Sequence, residues 1–160
     1  MQIRTEYALS EIGRTLIGRI FPGTELVPGI LQMCAESGIR FGYVASLIGS
    51  LTRVRLVYVN RAPEPDPGFR FSEPLDRPGP FEILSAQGTL GEDEAGKPSL
   101  HLHALLCDEK NRILGGHILD AGNPVLATIE VVIRETRGIQ LVQKPDQEMG
   151  VPLFRVQSRF

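Results

Sequence analysis

The stretch Leu100–Leu119, LHLHALLCDEKNRILGGHIL, contains all three histidines of the chain, His101, His103 and His117. His101 and His103 are separated by one residue, so on a β-strand their side chains project from the same face. The polar residues 108–111 interrupt two apolar segments, and such a polar group is typical of a turn. We therefore predict a β-hairpin, and the rest of the fold is interpreted around it.

The length of the turn decides where His117 points. A three-residue loop at 109–111, with Asn111 in the left-handed conformation, is a common hairpin connection. The pairs that follow are Asp108–Arg112, Cys107–Ile113, Leu105–Gly115 and His103–His117. Opposed residues have Cβ atoms about 4.5–5.5 Å apart and diagonal neighbours about 7–8 Å. A four-residue loop, pairing Cys107 with Arg112, would instead turn His117 to the opposite face.

With the shorter loop, the sequence predicts a metal site at His101, His103 and His117. Three imidazoles on one face bind a divalent ion, most commonly zinc, and leave a fourth position open. The alternative is that each histidine is an ordinary surface or core residue, and the pattern is less specific than two CxxC pairs. Gly115 and Gly116 fit either a strand bulge or close approach of backbone or ligand.

Composition predicts one globular domain over residues 1–160, because 42% of the residues are hydrophobic and 22% are charged. The net charge of −2 and the absence of Trp argue against general attraction to phosphate backbones and against a base-stacking platform. Cys34 and Cys107 lack CxxC spacing, so we expect free thiols in a reducing cytoplasm. No apolar run reaches membrane-spanning length, and we expect no membrane contact.

Periodicity predicts one helix, at about 24–37. Thr24 is a suitable N-cap and Glu25 suits the first turn, while Gly38 is a suitable C-terminal stop. The apolar residues Val27, Ile30, Leu31 and Cys34 form a stripe with helical spacing.

Outside the helix, the pattern predicts strands. Besides the histidine hairpin, the predicted strands are 14–21, 41–49, 51–59, 81–90, 125–134 and 138–142. The Pro-rich segment 60–80 is predicted to be irregular, either as a lid or contact arm or as a solvated loop. An irregular tail at 143–160 is also predicted, with the core at about 14–142. Seven or eight strands with one helix predict an α+β fold with a largely antiparallel sheet.

Several predicted strands, including 100–107 and 125–133, are apolar on both faces. One short helix cannot cover both faces of such a sheet. A surplus apolar face commonly forms a subunit interface, so we predict a homo-oligomer.

The succession FEILSAQGTL at 81–90, HLHALLCDEKNRILGGHIL at 101–119 and VLATIEVVI at 125–133 resembles the plants-and-prokaryotes-conserved (PPC) domain. Asn111 stands where the family usually has Gly in the turn. The resemblance implies an α+β domain assembled as a homotrimer. Prokaryotic members of the family are usually labelled candidate DNA-binding proteins, and some carry a metal, typically zinc, at the positions of the three histidines. This chain lacks the Arg-Gly-Arg-Pro core of the AT-hook that plant members use on DNA.

Three functions follow as hypotheses. The first is a stand-alone, DNA-associated or regulatory homotrimer with a three-histidine metal site. The second is a zinc-dependent enzyme that hydrolyses its substrate with metal-bound water, or a small-ligand-binding protein, at the same site. Glu82 and Glu130 are then candidate catalytic residues, as orienter or general base, although each is also explained as a structural strand carboxylate. The third is an interaction module whose trimer is itself the functional unit.

Overall fold

The computed structural model describes residues 3–62 and 68–158. Within these residues the chain forms ten strands and one helix. Their bounds are β1 Glu11–Ile20, α1 Leu26–Ser37, β2 Gly42–Val57, β3 Val59–Arg61, β4 Phe69–Phe71, β5 Leu75–Asp93, β6 Pro98–Asp108, β7 Ile113–Ile118, β8 Val125–Arg137, β9 Ile139–Pro145 and β10 Pro152–Ser158. One helix with a mostly antiparallel sheet confirms the predicted α+β class.

The long strand β2 organises the sheet. Eight strands follow the order β1-β8-β2-β7-β6-β5-β9-β10, and β2 pairs in addition with β5. The β2 edge that pairs with β8 as far as Leu51 pairs with β7 at Leu56 and Val57. Strands β2, β5, β6 and β7 therefore close into a ring of paired strands. Closure leaves each of these strands with an inner and an outer face.

The inner face holds the main core. Along β6, the exposed fractions of Leu100, Leu102, Ala104 and Leu106 are 6% or less, whereas His101, His103 and Leu105 between them are exposed. This alternation is the period of two that a strand imposes. The outer face of β6 is thus where the histidines lie.

The helix confirms the predicted apolar stripe in most positions. Val27, Ile30 and Cys34 are buried, Leu31 is half-buried, and Gly38 ends the helix with a left-handed φ of 69°. Its start differs from the prediction of about residue 24. Glu25, rather than Thr24, occupies the N-cap position and makes no side-chain cap hydrogen bond.

The carboxylate of Glu25 has another partner. It accepts hydrogen bonds from the backbone N–H groups of Gly122 and Asn123, at 2.9 and 2.8 Å. Because Glu25 is the N-cap residue, the first turn of the helix itself contains no acidic residue. The predicted cap and dipole interaction is replaced by a contact with the loop between β7 and β8, which sequence periodicity cannot indicate.

The predicted strands 41–49 and 51–59 are one strand, β2, with irregular register between Gly49 and Leu51. Gly49 has a φ of 137°, and a Cβ placed there would collide with the carbonyl oxygen of Thr128. Only glycine allows this close approach of β2 to β8. The predicted break between residues 49 and 51 is therefore an irregularity of register within one continuous strand.

Two segments predicted to be irregular contain regular structure. In the Pro-rich segment 60–80, β3 and β4 form a two-stranded sheet and residues 75–80 extend β5; residues 63–67 lie outside the described part of the chain. In the tail 143–160, β10 pairs with β9 along its whole length. Phe154 and Val156 of β10 pack against a second small core of Phe41, Ile139 and Leu141.

Both cysteines are free, as predicted. Cys34 is buried, and burial raises the pKa of its thiol from 9.0 to about 11. Cys107 is half-buried. In the described ranges, the helix is too short and not apolar enough to span a membrane.

Candidate metal centre

The β6–β7 turn fixes the register of the histidine hairpin. Asn111 has a φ of 57°, and the backbone N–H of Asp108 donates to the carbonyl of Arg112 at 3.0 Å. The Asp108 carboxylate accepts from the backbone N–H groups of Lys110 and Arg112, both at 2.9 Å. The three-residue loop is therefore confirmed, and the alternative four-residue loop is excluded.

With that register, the three rings come together on the outer face. His103 pairs directly with His117, as predicted. The ring centroids lie 4.9 Å apart for His101 and His103, 5.0 Å for His101 and His117, and 5.4 Å for His103 and His117. One nitrogen from each ring lies within 4.8 Å of the other two. These three nitrogens could hold one metal ion, and among the described residues no other group of this kind is found.

Partial burial favours the uncharged form of two of the three rings, His101 and His117. Partial burial, followed by the neighbouring charges of His101 and His103, lowers the pKa of His117 to about 4. Partial burial and then the charge of His103 also lower the pKa of His101. The Nε2 atoms of His101 and His103 are 3.0 Å apart, so one ring must offer a lone pair to the other. A neutral imidazole is the form that binds a metal.

Two cavities adjoin the histidines. The larger, of about 690 Å³, is lined by all three rings and by apolar residues of several strands. The smaller, of about 520 Å³, lies beside His101 and His103 and is lined otherwise by Tyr43–Ala45 of β2 and Gln87–Thr89 of β5. The ligand set is therefore reachable from outside the subunit.

The two candidate glutamates lie elsewhere. Glu82 pairs with Cys107, four residues along β6 from His103, which corresponds to about 13 Å at the usual strand rise. Glu130 of β8 pairs with Arg19 of β1 and with Ile48 of β2. Both are exposed, and neither lines the two cavities at the histidines. Their role in the chemistry stays a prediction.

Sequence reasoning missed Gln143 and the segment 151–154, which also line the larger cavity. The Ser99 hydroxyl donates to the Gln143 Oε1 at 2.7 Å, across 44 residues of sequence. This contact depends on the pairing of β9 with β5, so no local pattern in the sequence could have indicated it.

Similar structures have the same fold along nearly the whole chain. A plant- and prokaryote-conserved protein of Pyrococcus horikoshii is 25% identical, with a TM-score of 0.75 and coverage of 94% of this chain and 97% of that one. A metal-containing protein of Archaeoglobus fulgidus is 23% identical, with a TM-score of 0.79 and coverage of 94% and 99%. A candidate DNA-binding protein of Bacteroides thetaiotaomicron is 20% identical, with a TM-score of 0.73 and coverage of 92% and 97%.

Curated relatives by sequence include the bifunctional protein GlmU of Synechococcus sp. strain JA-2-3B'a(2-13), 27% identical over 139 residues. This match covers 87% of the chain but spans about a fifth of the length of that relative, 20%. The model of the Plants and Prokaryotes Conserved (PCC) domain, the family called PPC above, matches residues 7–137. The chain belongs to this family.

Proposed function

We propose that this protein binds one divalent metal ion, zinc, through His101, His103 and His117. The observation that carries the proposal is the convergence of three ring nitrogens within 4.8 Å of one another. A set made only of imidazole nitrogens suits zinc and its transition-metal neighbours rather than magnesium or calcium, which prefer oxygen ligands. The structural neighbour from A. fulgidus, a metal-containing protein, also supports it.

A zinc ion held by the three imidazoles would supply a Lewis acid and, at neutral pH, a nucleophile for hydrolysis. The chain's own residues fix the geometry of that position. His103 and His117 are held opposite each other by the pairing of β6 with β7, and His101 lies on β6 two residues before His103. We propose a zinc-dependent hydrolase or a small-ligand-binding protein as the alternative to a purely regulatory role.

Elemental analysis of protein purified without a His-tag tests the metal proposal. We expect about one zinc per chain after dialysis against a small excess of zinc, and near zero in His117→Ala. Gln87→Ala is the matched control, because Gln87 is exposed and pairs with His103 on the neighbouring strand. A metal-to-chain ratio near zero in the unmodified protein, unchanged by added zinc, would falsify the proposal.

We further propose a homotrimer. The family resemblance implies this state, and the outer faces of β2, β5 and β6 present the exposed apolar residues Ile48, Leu84 and Leu105 on adjacent strands. Burying such side chains between subunits removes apolar area from water. Light scattering after size-exclusion chromatography should give three times the mass of 17.6 kDa. A monomer at micromolar concentration would contradict the proposal.

DNA association is the second function that we propose, on the description of the B. thetaiotaomicron neighbour. The described surface offers limited support, because many arginines are paired with carboxylates. These include Arg4, Arg14, Arg40, Arg53, Arg112, Arg137 and Arg155. A mobility-shift titration at low salt should detect a complex that weakens as salt rises. No complex at tens of micromolar protein would exclude this function.

We also propose a reducing, cytoplasmic location. Cys34 and Cys107 are free thiols, and the raised pKa of Cys34 makes it unreactive as a nucleophile. Alkylation of cell lysate under denaturing conditions, followed by mass spectrometry, should find both cysteines unoxidised.

A further inference from the structure

The larger cavity beside the histidines is lined mostly by apolar residues. Its volume is about 690 Å³, within the range of small-molecule sites, about 300–1,000 Å³. One wall carries the three imidazoles. The rest is built from the end of β2 and the β3–β4 arm, from Leu119, and from the segment 151–154 at the start of β10. A ligand at the metal would therefore lie against apolar side chains.

The described lining residues include no Lys, Arg, Asp or Glu. With neutral imidazoles, a bound divalent ion would supply the positive charge of the cavity. Such a site favours a ligand that is negatively charged at one end and apolar elsewhere. Phosphorylated ligands carry about two charges and are commonly held by Arg, Lys or a helix N-terminus, none of which lines this cavity within the described residues.

Gln143 adds a directed polar group to the same cavity. Its Oε1 accepts a hydrogen bond from the hydroxyl of Ser99, which lies two residues before His101 on the same face of β6. That hydrogen bond leaves the Nε2 amide as the free end, and it makes no hydrogen bond to another described residue. Ser99 therefore orients Gln143 as a donor close to the histidines.

We propose that this cavity binds a small monocarboxylate with an apolar body. The carboxylate occupies the open metal position and accepts from the Gln143 amide, while the body lies along Phe71 and the 151–154 wall. This inference rests on the proposed metal site and adds the class of ligand to it. Gln143 is a binding residue, and Ser99 is a positioning residue that acts through it.

Calorimetric titration of the full chain tests the proposal, with zinc content measured first. The probe is 4-phenylbutyrate, compared with 4-phenylbutanol, which lacks the carboxylate, with acetate, which lacks the body, and with a phenylalkyl phosphonate. We expect the zinc-loaded protein to bind 4-phenylbutyrate at least tenfold more tightly than any of the three. Removal of zinc should weaken 4-phenylbutyrate at least tenfold.

Two variants separate the ligand from the metal. Gln143→Glu keeps an acceptor for Ser99 but places a negative charge beside the carboxylate, and it should abolish measurable binding with zinc content unchanged. Phe71→Ala removes an exposed ring that belongs to neither core, and it should weaken binding about tenfold. Ile113→Ala is the matched control, because Ile113 is exposed on the histidine hairpin but does not line the cavity.

The outcomes are distinguishable. Protein that fails to bind zinc overturns the metal site itself. Zinc-loaded protein that ignores 4-phenylbutyrate at millimolar concentration, because a second subunit fills the cavity or for any other reason, overturns the ligand class alone. Equal or tighter binding of the phosphonate, or unchanged binding in Gln143→Glu, also overturns it.

Discussion

Two polar clusters on the surface of this protein differ in how their groups are partnered. Around Glu135 of β8, one carboxylate accepts hydrogen bonds from Arg14 and Arg137, and Arg14 also donates to the carbonyls of Ser37 and Gly38 at the end of the helix. The histidine cluster instead sets three rings against one another. The carboxylate of the first cluster has its hydrogen-bond donors within the chain. Among the described residues, the only hydrogen bond of the three rings joins His101 to His103.

This difference in partners is consistent with the role that we propose for each cluster. A network of opposite charges stabilises the fold and needs nothing from outside. Three imidazoles placed side by side stabilise the fold little, and the proposed metal ion gives their convergence a physical reason. The predictions below test this contrast, beginning with the largest expected effect.

Zinc should stabilise the unmodified protein strongly and His103→Ala hardly at all. Free zinc at a hundred times its dissociation constant adds about 2.7 kcal/mol to the free energy of unfolding, since it binds the folded chain alone. Thermal unfolding with and without zinc measures the difference, and Gln87→Ala should behave like the unmodified protein. An equal zinc-induced shift in His103→Ala would show that the rings do not act together.

Glu135→Gln should lower the free energy of unfolding by about 1–3 kcal/mol, because the charge-assisted hydrogen bonds of Arg14 and Arg137 lose their anion. The control is Glu148→Gln, which alters the exposed pair with Arg4 at the surface and should destabilise the protein less than Glu135→Gln does. Urea unfolding measures both variants. Equal costs would mean that the Glu135 network contributes no more than an ordinary surface pair.

The stability of the protein should depend on pH through Glu135. Hydrogen bonds from Arg14 lower the pKa of this carboxyl from 4.5 to about 2 in the folded state. Because the folded pKa is the lower one, the contribution is complete above pH 4.5 and is lost as the pH falls towards 2. Urea unfolding between pH 6 and pH 2 should show a shallower decline in Glu135→Gln than in the unmodified protein. Parallel profiles would contradict this assignment.

Asn111→Ala should have the smallest effect, about 1 kcal/mol of destabilisation, because alanine is strained at a φ of 57°. Asn111→Gly is the control and should be at least as stable as the unmodified protein, since glycine adopts this conformation freely. Both variants should retain zinc if they keep the register. Loss of zinc in Asn111→Gly would show that the turn depends on the asparagine side chain.

The same contrast explains what could be predicted from sequence. The histidine site could be predicted because its register depends on a local turn, 109–111, whose residue at the left-handed position is an asparagine. The end of the helix could be predicted for the same reason, because Gly38 is a local signal that stops a helix. The continuous strand β2 could not be predicted, because its kink at Gly49 arises from a close contact with β8.

Long-range pairing also hid part of the site. The cavity wall at 151–154 and the Ser99–Gln143 contact exist because β9 pairs with β5 and β10 pairs with β9. A tail rich in mixed polar and apolar residues gives no periodic signal strong enough to predict that edge. For Glu82 and Glu130, the sequence predicts that each carboxylate lies on a strand. It cannot predict their distance from the histidines, because that distance depends on how the strands pair in the assembled sheet.

The alternation along β6 has one consequence for related proteins. Because His101 and His103 project outward from β6 while the leucines that alternate with them fill the interior, and His117 joins them from β7, the architecture does not require its histidines. A lineage could replace all three and keep a folded domain, and it could regain the site by as few as three substitutions on an intact scaffold. Shared architecture in this family is therefore a poor guide to shared chemistry, and the outward positions of β6 and β7 are the place to look for it.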